Sequence, residues 1–152
     1  MAIFDQLGNL YNEIDDIYSA LEKQARTRGF KKRELEYSRK RKLNNQSYFL
    51  FMFTRIEDRI RILSENLIDS KVKRLSDWKY KRTWDILHKR KENIPLMDRV
   101  ALLAAMNGTD YQLIKGYYKQ RNIIGHGGDF TIPIDMQTVI TDLKRLYYDL
   151  AK

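Results

Sequence analysis

The chain has 152 residues, no cysteine, two histidines, and 29 Lys and Arg against 20 Asp and Glu, a net charge of +9. That length supports a hydrophobic core, and 43% hydrophobic residues set the chain apart from a disordered basic tail. The absence of cysteine excludes disulfides, thiolate metal sites and cysteine nucleophiles, and two histidines exclude most zinc sites.

Two prolines and seven glycines favour long helices over many short strands. Ile3, Phe4, Leu7, Leu10, Tyr11, Ile14, Ile17, Tyr18 and Leu21 recur at three- and four-residue steps, which predicts an amphipathic first helix. It should end near Arg28-Gly29, where glycine can cap. A second helix is expected to begin between Lys31 and Glu34, with Asn44-Asn45 as an interruption. From Tyr48 it turns apolar, with Phe49, Phe53, Ile56, Ile60, Leu63 and Leu67 in register. Ser76-Asp77 suits the cap of a third helix over 78–91. Asn93-Ile94-Pro95 then breaks the chain before a fourth helix through Met106. Thr109 or Asp110 caps a fifth, which Gly125-His126-Gly127-Gly128 terminates. Phe130 to Ile134 reads as extended. Asp135 then caps a last helix with Val139, Leu143, Leu146, Tyr147 and Leu150 on its apolar side. The expectation is one all-α domain over residues 1–152, a bundle of five or six helices.

The positive charge is concentrated. Residues 26–42 carry a net +7, residues 71–91 another +7, and the remainder −5. Concentrated cations attract a phosphate backbone, and they also make ordinary solvated faces. Lys31, Lys32, Arg33, Arg39, Lys40, Arg41, Lys42 and Lys119 are the candidate RNA contacts. Tyr37, Trp78, Tyr80 and Trp84 lie among the charges and suit either base stacking or the edge of a core. For Trp84 the core is favoured; for Trp78 the pattern does not choose. Asp5, Asn9, Glu13, Asp15 and Asp16 interrupt any signal-peptide core. The longest apolar run, Tyr48 to Phe53, falls far short of the ~20 residues of a membrane helix. A soluble, cytoplasmic protein without membrane association is therefore expected.

Three glycines cluster around His126 in the run Tyr117-Tyr118-Lys119-Gln120-Arg121-Asn122-Ile123-Ile124-Gly125-His126-Gly127-Gly128. Asn122 and His126 share a helix face, and Arg121 lies about 140° from His126 by the 3.6-residue period. An imidazole, an amide and a guanidinium would thus meet at a helix end. That set suits cleavage of RNA, whose own 2′-OH can attack the phosphorus. Histidine can move a proton near neutral pH, arginine can fork two phosphate oxygens, and asparagine can orient either. No cofactor or metal is needed for such a step. The same residues also suit a helix C-cap with no catalytic role.

Arg121-Asn122-Ile123-Ile124-Gly125-His126-Gly127 resembles the Arg-x(4-6)-His motif of HEPN domains, in which the residue after the arginine is usually polar, often Asn. The close resemblance covers about residues 117–128. It implies a helical bundle that dimerises and brings two motifs into one cleft. It also implies a metal-independent endoribonuclease, acting as a toxin or in phage defence, with an antitoxin or defence-system protein as a further partner. On that basis Arg121 and His126 are catalytic and Asn122 supports them. HEPN toxins paired with a nucleotidyltransferase antitoxin commonly carry a tyrosine two positions after the histidine; here it is Gly128. The alternatives are a HEPN module that binds nucleic acid or nucleotide without cleavage, or a helical protein-interaction adaptor. Elsewhere, Glu57-Asp58-Arg59 reads as helical ion pairing and His88 as a surface residue.

Overall fold

The computed structural model describes residues 3–150, and among these there is no strand. Six helices form an all-α bundle: α1 (Ile3–Thr27), α2 (Lys31–Arg74), α3 (Trp78–Lys89), α4 (Leu96–Leu103), α5 (Thr109–Gly125) and α6 (Met136–Asp149). A single 3₁₀ turn, Lys91–Asn93, lies between α3 and α4. The chain divides into two units. The first is Met1–Phe53 with Lys119–Lys144, and the second is Thr54–Tyr118 with Arg145–Lys152.

In the first unit, α1 buries Phe4, Leu7 and Tyr11. Its end is a left-handed cap: Gly29 has φ 71°, its N–H donates to the Arg26 carbonyl, and the Phe30 N–H donates to the Ala25 carbonyl. Helix α2 starts at Lys31 as expected but passes through Asn44-Asn45 without a break. Nothing from 31 to 74 is Gly or Pro, and asparagine costs a helix only about 0.6 kcal/mol relative to alanine. The Asn45 side chain is used instead between helices, its Oδ1 accepting a 3.0 Å hydrogen bond from the buried Tyr11 hydroxyl. Arg41 adds a second tie. Its Nε and Nη2 donate to the two Asp15 oxygens at 2.9 and 3.0 Å, and Nη1 donates to Glu22 Oε2 at 3.1 Å. Phe49, Met52 and Phe53 of α2 are fully buried, as are Val139 and Leu143 of α6 within a few per cent.

The second unit is built on Ile56, Ile60 and Ile68 of α2, Val100 of α4, Ile114 of α5 and Leu146 of α6, all essentially inaccessible. Helix α4 stops at Leu103, three residues before the expected end. Ala104 is already extended, and a turn follows in which the Gly108 N–H meets the Ala105 carbonyl at 2.7 Å. The Gln112 side chain holds that turn by donating to the Met106 carbonyl at 2.7 Å. Helix α3 ends at Lys89 rather than 91, because residues 91–93 tighten into the 3₁₀ turn. A buried arginine secures the connection. Arg99 donates to the Ile94 carbonyl at 3.0 Å, to Ser64 Oγ at 3.0 Å and to the Lys91 carbonyl. No helix among the described residues is long and apolar enough to cross a membrane.

Candidate functional site at the end of helix α5

The run that carries Arg121, Asn122 and His126 occupies the last turn of α5 and the residues beyond it, within the first unit. The helix ends in a double-bonded cap. The Gly127 N–H donates to the Ile124 carbonyl and the Gly128 N–H to the Ile123 carbonyl, both at 2.9 Å. His126 is the residue at the cap itself, its N–H still bonded to the Asn122 carbonyl at 3.1 Å. Gly127 sits at φ 82°, a left-handed conformation that costs other residues about 1–2 kcal/mol. Gly128 is needed for space, since a Cβ there would stand 2.8 Å from Ile123 Cγ2 and 2.9 Å from the Ile123 oxygen. The cap therefore accounts for two of the three clustered glycines. Gly125 is different: a Cβ there would meet only Arg121 Nη1, at 3.8 Å.

The side chains follow from this geometry. Ile124 is buried and Ile123 half-buried, which anchors the last turn. Arg121 reaches forward along the helix toward Gly125, and its Nη1 donates to Asn122 Oδ1 at 3.4 Å. Arg121 and Asn122 are half-buried, and His126 is exposed. The end of α5 thus holds a guanidinium in contact with an amide, and separately presents an imidazole to solvent from the capping position.

The segment after His126 is held from both sides. Lys42, Gln46 and Phe49, successive residues of one α2 face, grip it. Lys42 Nζ meets Asp129 Oδ2 at 2.6 Å, Gln46 Nε2 donates to Asp129 Oδ1 at 2.8 Å, and Phe130 stands edge-on to Phe49 with centroids 5.3 Å apart. The Lys42 and Gln46 bonds hold the Asp129 carboxyl below its ordinary pKa. From α5, the buried Gln120 accepts the Thr131 N–H at 3.0 Å and bonds the Thr131 hydroxyl. This replaces the extended stretch expected from Phe130 to Ile134 with a bent loop. Asp135 then caps α6 as expected, accepting from the Gln137 and Thr138 N–H groups. Gln46, Gln120, Asp129 and Thr131 were not indicated by the sequence. Their partners lie 11 to 87 positions away, beyond any local pattern.

The candidate RNA contacts separate into two groups. Lys31, Lys32 and Arg33 stand exposed in the first turn of α2, and Arg39 and Lys119 are exposed further along their helices. Lys40 pairs with Glu36 at 2.7 Å, Arg41 is held by Asp15 and Glu22, and Lys42 by Asp129. In the second unit, His88 Nε2 lies 3.3 Å from Asp69. Arg61 pairs with Asp58 and Glu65 on the exposed flank of α2. Trp84 is half-buried under the Lys71 ammonium, rather than fully in the core. Among the described residues no three His, Asp or Glu side chains converge as a metal-binding group. No family model, curated protein or solved structure matches the chain.

Proposed function

We propose that the protein is a metal-independent endoribonuclease of the HEPN type, working as a homodimer, with Arg121, Asn122 and His126 at its centre. The observation that supports this most directly is the end of α5. There Arg121 contacts Asn122 at 3.4 Å, and His126 stands exposed at a cap held rigid by Gly127 and Gly128. Preorganised charge of this kind is what a developing phosphorane needs. In the step, a base removes the 2′-OH proton and the 2′ oxygen bonds to phosphorus. The P–O5′ bond breaks, and an acid returns a proton to the 5′ oxygen. His126 serves as that acid or base, and Arg121 neutralises the phosphoryl oxygens. In a dimer the two imidazoles divide the proton transfers. Toxin or phage-defence biology, an antitoxin or defence-system partner and a cytoplasmic site of action follow from the HEPN resemblance.

Product chemistry tests the reading. Cleaved RNA should carry a 2′,3′-cyclic phosphate and a 5′-hydroxyl, and the rate should be unchanged by EDTA. Arg121→Ala should slow cleavage about 100-fold or more. Products with 5′-phosphate ends, or loss of cleavage in EDTA, would contradict it. A second reading, nucleic-acid binding without catalysis, is favoured by the cap itself, which gives Gly127 and Gly128 a purely structural reason. It predicts salt-sensitive RNA binding and no cleavage at any protein concentration.

A further inference from the structure

Ion pairing takes up more of the first basic segment than of the second. In residues 26–42, Arg26, Lys40, Arg41 and Lys42 are engaged in ion pairs with acids of the first unit. In residues 71–91, Lys91 pairs with Asp69. Lys73, Arg74, Lys79, Lys81, Lys89 and Arg90 have no ion pair among the described residues. Helix α3 lies in the middle of this segment and buries no residue at all. It nevertheless carries Trp78 at 64% exposure and Ile86 at 53%.

Helix geometry groups these side chains. By the 100° step, Trp78, Lys79, Arg82, Ile86 and Lys89 fall within about 100° of one another. The half-buried Lys81, Trp84 and Leu87 lie toward the opposite side, and the half-buried Asp85 borders Trp78 at about 20°. The outward face of α3 is thus an indole and an aliphatic side chain framed by three cations. The Arg82 guanidinium already stands 5.7 Å over the indole. It covers one face of the ring and leaves the rest in solvent. Folding gives no reason for an exposed indole here, since no core receives it. Stacking on an unpaired base does, with Lys79, Arg82 and Lys89 spaced to follow the phosphates. A duplex hides its bases and offers only the phosphates.

We infer that the outward face of α3 binds an unpaired stretch of RNA, with Trp78 as the stacking platform and Lys79, Arg82 and Lys89 as the phosphate contacts. The choice of RNA rests on the nuclease reading above; the preference for a single strand rests on the exposed indole. The surface lies wholly within the second unit, away in sequence from the Arg121–His126 run.

The test is fluorescence anisotropy with the full chain carrying His126→Ala, so that binding is read without cleavage. The probes are a labelled unstructured 12-nucleotide RNA and a labelled duplex RNA of equal length. Trp78→Ala should weaken single-strand binding about tenfold and leave duplex binding unchanged. Trp78→Phe should restore most of it. Lys79→Glu with Arg82→Glu should weaken both and make the single-strand salt dependence shallower by about 0.7 per lost contact. Thermal melts should be unchanged, because Trp78, Lys79 and Arg82 are exposed. Unchanged single-strand affinity in Trp78→Ala, or an equal loss for the duplex, would overturn the inference. So would competition by polyglutamate as effective as by unlabelled RNA, which would mark the face as a protein-binding surface. Absence of cleavage by the unsubstituted chain, with this binding pattern intact, would instead overturn the nuclease reading alone.

Discussion

The three glycines around His126 look alike in sequence and differ in what they do. Gly128 N–H and the Ile123 carbonyl are bonded so closely that a methyl group has nowhere to go. Gly128→Ala should therefore cost about 1–3 kcal/mol, as overpacking against backbone does. Gly125→Ala should be neutral or slightly stabilising, since its nearest neighbour is an ordinary contact and alanine favours a helix. Thermal melting of the two variants checks the contrast. Equal losses would mean that the capping geometry is not what constrains the run. The helix boundaries at Gly29, Asp77, Gly127 and Asp135 were legible in the sequence because these caps are local and act on neighbours within a few residues. The setting of the candidate site was not, because Lys42 meets its partner Asp129 across 87 positions. Lys42 itself reads as a candidate RNA contact, and no composition count distinguishes a cation facing solvent from one facing Asp129.

At the scale of elements, the pairing of α1 with α2 rests on groups that sequence propensity misreads. The Asn44-Asn45 pair looks like a break because asparagine favours turns. In the fold Asn45 receives the Tyr11 hydroxyl, and the helix runs on. Burial is the main reason the Tyr11 hydroxyl is pushed up to about 12, with Asp15 adding to it. The fold therefore favours the neutral phenol. Its contribution to stability is whole below pH ~10 and is lost as pH rises from there through about 12. Tyr11→Phe should cost about 1 kcal/mol at neutral pH, through the lost hydrogen bond. It should also show a smaller fall in denaturant midpoint between pH 10 and 12 than the unsubstituted chain. An identical alkaline fall would show that Tyr11 is not buried against α2 as described.

For the whole molecule, the +9 charge is not one surface. Part of the first basic segment is internal structure: Arg41 bridges to Asp15 and Glu22 of α1. Another part, Lys31, Lys32 and Arg33, stands exposed. Arg41→Ala should lower the melting temperature. Charge reversal at Lys31, Lys32 and Arg33 should leave melting unchanged and reduce RNA affinity, more so at low salt. A drop in melting temperature from the second set, or none from the first, would contradict this division. The all-α class was legible from three- and four-residue periodicity alone. The division into two units was not, because α2, α5 and α6 each continue from one unit into the other without a mark in composition.

The central claim is that His126 moves a proton during RNA cleavage. The most direct measurement is the single-turnover cleavage rate of one RNA by the unsubstituted chain and by His126→Ala, alongside their melting curves. His126 is exposed and its backbone alone makes the cap, so the variant should melt with the unsubstituted chain. Its cleavage should fall by about 100- to 10,000-fold. Cleavage by the alanine variant at the full rate, with the fold intact, would contradict the account.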